Sequence, residues 1–405
     1  MVSLFPRQRK MWRKYPLKDK YDVVIVGAGV HGLAAAYYLA KRGVTNVAVL
    51  EKGYLGCGNS GRNTAIIRAN YRTLEGVPFY NESVRLYEQL SEELDFNLLF
   101  SQHGHLTLAH TDSSVNGLRL RAELNKQMGV ESRMISPKEI KALIPAIDIS
   151  DEPHLPIMAA LYHPPGGTIR HDAVVWGYAS AADRLGIEIH PHTEVIGIGI
   201  EDHRVTNVKT NRGEIKTDTV LNATSGWSSI IAKMADIEIP VSSHPLQACV
   251  SEPLKPVIEG QVVVSANLHV YIYQTERGEI VIGSEIDSYS TYSIKSTLPT
   301  LEMMATYTLE LFPCVKEASV LRQWAGTCDM TPDYSPIMGK VDGLKGFILD
   351  CGWGTYGFKT GPVSGKCIAE LIATGETPEL IKPFSLSRFY EDRLISEKAA
   401  AAVSH

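Results

Sequence analysis

The sequence predicts an α/β protein: a parallel-sheet unit of the doubly wound kind, interrupted by a strand-rich α+β unit. Three observations carry this. A β-α-β pattern with a glycine-rich turn lies at Tyr21–Lys52. Buried-type strands leading into glycine turns recur in the middle of the chain and near its end. Between them lie runs of short strands joined by hairpin-type turns.

The first strand, Tyr21–Val26 (YDVVIV), is almost continuously apolar, as suits a strand covered on both faces. The glycine turn follows, then HGLAAAYYLAKRG, whose Ala and Leu content predicts a helix ending at Gly43. NVAVLEK is the second buried strand. Residues 73–146 read mainly as helix, with an extended piece at HGHLTLAH. Short strands then turn at Asp202–His203 and Arg212–Gly213, and the last of them, DTVLNAT, leads into Ser225–Gly226. From about Pro240 to Pro332 the pattern is strand-rich again, with HVYIYQT and EIVIGSEI joined at Arg277–Gly278, then a helix near Leu301–Leu311. A strand, a glycine loop and a helix close the chain in GFILDCGWGTYGFKTGPVSGKCIAELIATG. This assigns residues 21–72, 147–239 and 333–405 to the parallel-sheet unit and 73–146 and 240–332 to the inserted unit. Residues 1–20 form an N-terminal arm.

The length of 405 residues suits about two or three domains. A net charge of −5 gives no global reason to expect nucleic acid, and no nucleic-acid-binding signature is present. Seven of the first twenty residues are Lys or Arg; the arm is either solvated or laid on a partner subunit. The six cysteines form no C-x-x-C pair or zinc pattern and read as free thiols of a reducing compartment. With no transmembrane-length apolar run and no signal-peptide core, the expected location is cytoplasmic, away from membranes.

Gly27-Ala28-Gly29-Val30-His31-Gly32 is G-x-G-x-x-G between strand and helix. The first glycine permits the tight turn, the second lets a pyrophosphate approach the backbone, and the third lets helix and strand pack. Val30 and His31 lead into the helix, whose free N–H groups favour phosphate. Glu51 lies 19 residues past Gly32, where a carboxylate can accept ribose hydroxyls, with Lys52 beside it. A tight βα turn without ligand would need similar glycines, and adenosine binding alone does not separate FAD from NAD.

Together with GAGVHG and Glu51, the segments GNSGRNTAIIRANY, LRQWAGTCDMTPDYSPIMG and GWGTYGFKTGPVSG resemble the glycine-oxidase and sarcosine-oxidase group of flavoproteins. Within that group they look like the beta subunits of heterotetrameric sarcosine oxidases, from about Tyr21 to the end of the chain. The resemblance implies a Rossmann-type FAD-binding domain with an inserted α+β substrate domain. Asn59, Arg62, Asn63, Thr64 and Ile66 would line the path to the isoalloxazine, and the backbone of Val195 would hold the adenine. Gly352, Gly354 and Gly357, with a helix beginning near Lys359, would stabilise the reduced pyrimidine edge through N–H groups and the helix dipole.

Arg68 and Lys359 match the family's carboxylate-binding cations, an arrangement that suits an amino-acid substrate. The implied reaction is hydride transfer from the substrate carbon to flavin, giving an imine that water hydrolyses; from sarcosine the products are glycine and formaldehyde. His269 is a candidate to contact the substrate or favour its neutral amine, and Tyr271 a lesser one, although a strand histidine is also an ordinary structural residue. His171 matches the histidine that carries covalent FMN in the resembling enzymes, with FMN passing electrons to oxygen. The residues alone also fit Asp172 capping a helix beside a partly buried His171. The resemblance further implies alpha, gamma and delta partner subunits, NAD on the alpha subunit, and tetrahydrofolate as acceptor of the one-carbon product. Gly326 stands where monomeric relatives anchor FAD through cysteine, which implies non-covalent FAD. Arg170 stands where lysine is common, which leaves the electron acceptor open. A proline or dimethylglycine dehydrogenase and a non-catalytic FAD-binding scaffold are the competing readings.

Overall fold

A computed structural model describes residues 11–398. Strand β1 (Val23–Val26), helix α1 (Val30–Lys41) and strand β2 (Val47–Glu51) form the expected opening unit. All four residues of β1 are buried, because α1 covers one face of its sheet and further chain covers the other. In sheet order, the core of this unit runs Glu188–Pro191, β2, β1, Val220–Asn222, Leu344–Cys351. These pairs are all parallel, with Ile25 opposite both Val49 and Leu221, and Leu221 opposite Ile348. Val195–Glu201, Arg204–Thr210, Gly213–Lys216 and Ile337–Val341 extend it by mostly antiparallel pairs.

Among the described residues a second sheet has eight strands: Val320–Met330, Ser242–Pro253, Glu279–Ile286, Val270–Gln274, Val262–Ser265, His105–Ala109, Ala159–His163 and Arg133–Ile135. It is antiparallel except where Val262–Ser265 meets His105–Ala109. Its apolar cluster includes Leu106, Ile140, Ile272 and Met304, packed beneath helices Pro137–Leu143 and Leu298–Leu311.

Two expected boundaries differ from the structure. Helix Gly76–Leu94, expected in the inserted unit, packs in the apolar cluster of α1 and helix Gly361–Thr374. Residues 147–239 do not belong wholly to the first unit, since Ala159–His163 pairs within the second sheet. A five-residue apolar run can enter either sheet, and pairing with His105–Ala109 decides it. The chain then returns through helix His171–Arg184, whose apolar side joins the cluster under α1.

The first ten residues of the N-terminal arm lie outside the described residues. The rest of the arm rests on its own chain. The Arg13 backbone N–H donates to Asp183 at 3.0 Å, and Lys18 pairs with Glu188 at 2.6 Å. No helix among the described residues is long and apolar enough to cross a membrane.

Candidate active site

A cavity of about 720 Å³ lies between the two sheets and is lined from both. Its first end is built by the β1–α1 turn. Gly27 has φ +108, and a Cβ there would stand 2.5 Å from the Ala223 carbonyl oxygen. A Cβ on Gly32 would stand 2.0 Å from the Gly27 carbonyl oxygen, so the strand and helix approach too closely for any side chain. Gly29, Val30 and His31 at the helix start face the cavity, as do Glu51, Lys52 and Val195. Glu51 is held by the N–H groups of Ala28 (3.1 Å) and Gly53 (2.8 Å), and the Lys52 ammonium sits 4.3 Å from the Trp227 ring centre. A helix N-terminus opposite a fixed carboxylate suits the pyrophosphate and ribose of a dinucleotide.

The polar loop that follows is stitched to the second sheet. Asn59 accepts the Thr327 N–H at 2.8 Å and donates to Ser225 at 2.8 Å. Arg62 donates to the Cys57 carbonyl (3.2 Å), and its own carbonyl accepts from Trp324 (2.7 Å). Asn63 accepts the Ala65 N–H. Asn59, Arg62, Asn63, Thr64 and Ile66 all line the cavity, while the two asparagine amides mainly hold the loop.

The glycine loop closes the other end. Gly352 and Gly354 have φ +71 and +54, conformations that favour glycine. The Asp329 carboxylate accepts the Gly352 N–H at 2.6 Å and the Ser225 hydroxyl at 3.1 Å, and burial pushes its carboxyl up to about 6. Helix Gly361–Thr374 starts two residues later than expected, after a 3-10 turn over Phe358–Thr360. A Cβ on Gly361 would lie 2.4 Å from Val30, and one on Gly365 would lie 2.5 Å from Ala34, so this helix packs closely on α1.

Arg68 and Lys359 both line the cavity and are 4 % and 8 % exposed. Arg68 donates to the carbonyl (3.1 Å) and side-chain oxygen (2.8 Å) of Asn70, with its guanidinium 4.3 Å from the Tyr71 ring centre. Lys359 Nζ donates to the Thr355 carbonyl at 3.4 Å. Burial, and then the neighbouring charge of Arg68, hold the Lys359 ammonium well below its ordinary pKa. Two buried cations at one place favour an anion between them.

His269 is absent from the cavity lining. It stands before strand Val270–Gln274 with φ +53, and its Nδ1 lies 2.8 Å from Glu285 Oε2, a close contact without hydrogen-bond geometry. Tyr271 does line the cavity, seated over Gly283, where a Cβ would meet the ring at 1.9 Å. His105 lines it as well. Sequence reasoning passed over His105, and the only signal was a histidine heading an alternating strand.

His171 begins helix His171–Arg184 and is half-buried, and burial lowers its pKa, which favours the neutral ring. Asp172 does not cap this helix. Arg170 is the N-cap residue, and the Asp172 carboxylate takes two hydrogen bonds of 2.8 Å from its guanidinium and one of 2.8 Å from the Ala173 N–H. His171 lies outside the cavity lining and meets Phe358 edge-on at 6.5 Å, while Phe358 itself lines the cavity. Gly32 and Gly352 serve packing and turn geometry behind the wall.

This combination of dinucleotide cradle, second glycine loop and buried cation pair defines a flavin-dependent oxidoreductase. The chain belongs to the FAD dependent oxidoreductase (DAO) family, whose model matches residues 22–371. It is 45% identical to the sarcosine oxidase subunit beta of Arthrobacter sp over 407 residues, covering 100% of both chains. It is likewise 45% identical to the sarcosine oxidase subunit beta of Rhodobacter capsulatus, over 98% of this chain and 95% of that one. Among solved structures it is similar to L-proline dehydrogenase from P. horikoshii, with TM-score 0.87 and 33% identity over 93% of this chain and 100% of that one.

Proposed function

We propose that this chain is the catalytic beta subunit of a heterotetrameric oxidase that converts sarcosine to glycine and formaldehyde. The observation that carries the reading is the meeting of Arg68 and Lys359 in one cavity that also holds the dinucleotide cradle. The full-length relatives named sarcosine oxidase subunit beta support it.

The β1–α1 turn, Glu51 and Val195 would hold the adenosine half of a non-covalent FAD, and the loop from Gly352 to Gly357 would hold its flavin half. FAD, when bound, supplies the acceptor for a hydride from the substrate carbon. Arg68 and Lys359 fix the substrate carboxylate and so limit the poses of the amine. A bound carboxylate would also favour the charged form of Lys359, against the burial and the Arg68 charge that oppose it. The stoichiometry is sarcosine plus oxygen plus water to glycine, formaldehyde and hydrogen peroxide. His171, its ring kept neutral by burial, would carry a covalent FMN, which would supply the redox chemistry with oxygen in a complex with an alpha subunit. Gamma and delta subunits, NAD and tetrahydrofolate belong to the assembled complex.

A second reading, an L-proline or dimethylglycine dehydrogenase passing electrons to a carrier, draws on the 33% identity to L-proline dehydrogenase. A non-catalytic scaffold would not need the buried cation pair. Sarcosine, L-proline and dimethylglycine, each assayed for hydrogen peroxide, separate these readings. Lys359→Met should raise the sarcosine KM by about 10- to 100-fold, in line with losing one charge-assisted hydrogen bond. An unchanged KM would remove Lys359 from the clamp. A peptide map of the enzyme from its native host that shows bare His171 would remove FMN.

A further inference from the structure

His105 is 1 % exposed, faces the cavity, and has no hydrogen-bond partner on either ring nitrogen. The other buried histidines are engaged. His110 bonds Leu155 and Ser265, His163 bonds Glu131 and Ala69, and His190 bonds Tyr21. An orphaned buried polar group costs about 1–3 kcal/mol, so an unmet imidazole in a cavity wall points to a ligand.

Strand register places this ring at the substrate end. His105 lies opposite His163, and directly paired residues share one face of a sheet. His163 Nε2 accepts the N–H of Ala69, the residue after Arg68. Val264 and Tyr271, on neighbouring strands, line the same cavity. Burial, followed by the charges of Arg68, Arg121, His163 and Lys359, keeps the His105 ring neutral. A neutral imidazole offers one lone pair and one N–H. Arg68 and Lys359 answer a carboxylate, and neither can accept a hydrogen bond. The lone pair therefore calls for a donor on the same small molecule.

We propose that His105 is a catalytic residue that accepts a hydrogen bond from the substrate amine N–H and selects secondary over tertiary amines. This rests on the amino-acid oxidase reading above. An uncharged N-methyl amino acid carries one such N–H, and its N,N-dimethyl counterpart carries none. A site built around an N–H discriminates against a ligand lacking it, because the acceptor is then left unpaired.

The test uses flavin-loaded His105→Leu and His105→Gln with sarcosine, N,N-dimethylglycine and methoxyacetate, in which an ether oxygen replaces the N–H. His105→Leu should keep its flavin content and its methoxyacetate affinity, read from the flavin absorbance change. It should lose about 10- to 100-fold in kcat/KM for sarcosine, as expected for one orphaned polar contact, and change little with dimethylglycine. His105→Gln, which retains an acceptor, should recover part of the loss. An unchanged sarcosine kcat/KM, or an equal loss for all three ligands, overturns the proposal. If the wild type turns over none of these amines, the activity reading fails on its own. Sarcosine and methoxyacetate binding to both variants, read from the flavin spectrum, then still decides on His105.

Discussion

His31 Nε2 lies 2.8 Å from the carbonyl oxygen of Gly357, 326 residues away, while its Nδ1 lies 3.2 Å from Asp350 Oδ2. Both partners are acceptors, an arrangement that favours the doubly protonated ring. Burial opposes this charge, but Asp350 outweighs it and the pKa is raised. The stabilisation is full below the ordinary value of about 6.5 and is lost as pH rises through the raised one. The melting temperature of the wild type should exceed that of His31→Gln most at pH 6, and the gap should narrow towards pH 9. A gap independent of pH would show an uncharged ring.

Asp329 behaves in the opposite sense to most carboxylates. Its pKa of about 6 lies above the unfolded value, so its protonated form favours folding below about 4. That contribution is lost as pH rises through about 6 and is worth on the order of 3 kcal/mol. Asp329→Asn carries no such dependence. Its melting temperature relative to wild type should climb between pH 4 and 6 and level off above.

Arg388 and Asp333 form a doubly hydrogen-bonded pair (2.8 and 2.9 Å), 1 % and 2 % exposed. Arg388→Met would leave the Asp333 carboxylate buried without its cation. Urea unfolding should register a loss of about 3–5 kcal/mol.

Glu397 ties the C-terminal segment to the loop after Arg68. One carboxylate oxygen accepts the N–H groups of Arg72 and Thr73 at 3.0 Å and the Thr73 hydroxyl at 2.9 Å. Glu397→Ala should raise the sarcosine KM about tenfold, equivalent to about 1.4 kcal/mol of lost positioning, with flavin content unchanged. Titration of flavin absorbance and steady-state kinetics together check this.

Sequence reading reached furthest where chemistry is local. The β1–α1 turn and the loop at Gly352–Gly357 declare themselves because only glycine satisfies their conformations and close approaches. Non-local pairing hid the rest. Strand alternation puts His269, Tyr271 and Tyr273 on one face, but the positive φ of His269 breaks the alternation, and only Tyr271 of the first two reaches the cavity. His105 owes its place to register with Val262 and His163, which no local pattern encodes. Likewise, nothing in AALYH tells which sheet it will enter.

The seam between Val30–Ala34 and Gly361–Gly365 bears on how the protein is made. Strand β1 is flanked by Val220–Asn222, which in turn pairs with Leu344–Cys351, and α1 rests on the last long helix. A nascent polypeptide emerging from the ribosome therefore carries its phosphate-binding turn early but lacks the neighbours that brace it until translation is nearly over. Cofactor loading must follow synthesis, and fragments ending before residue 361 will not retain flavin.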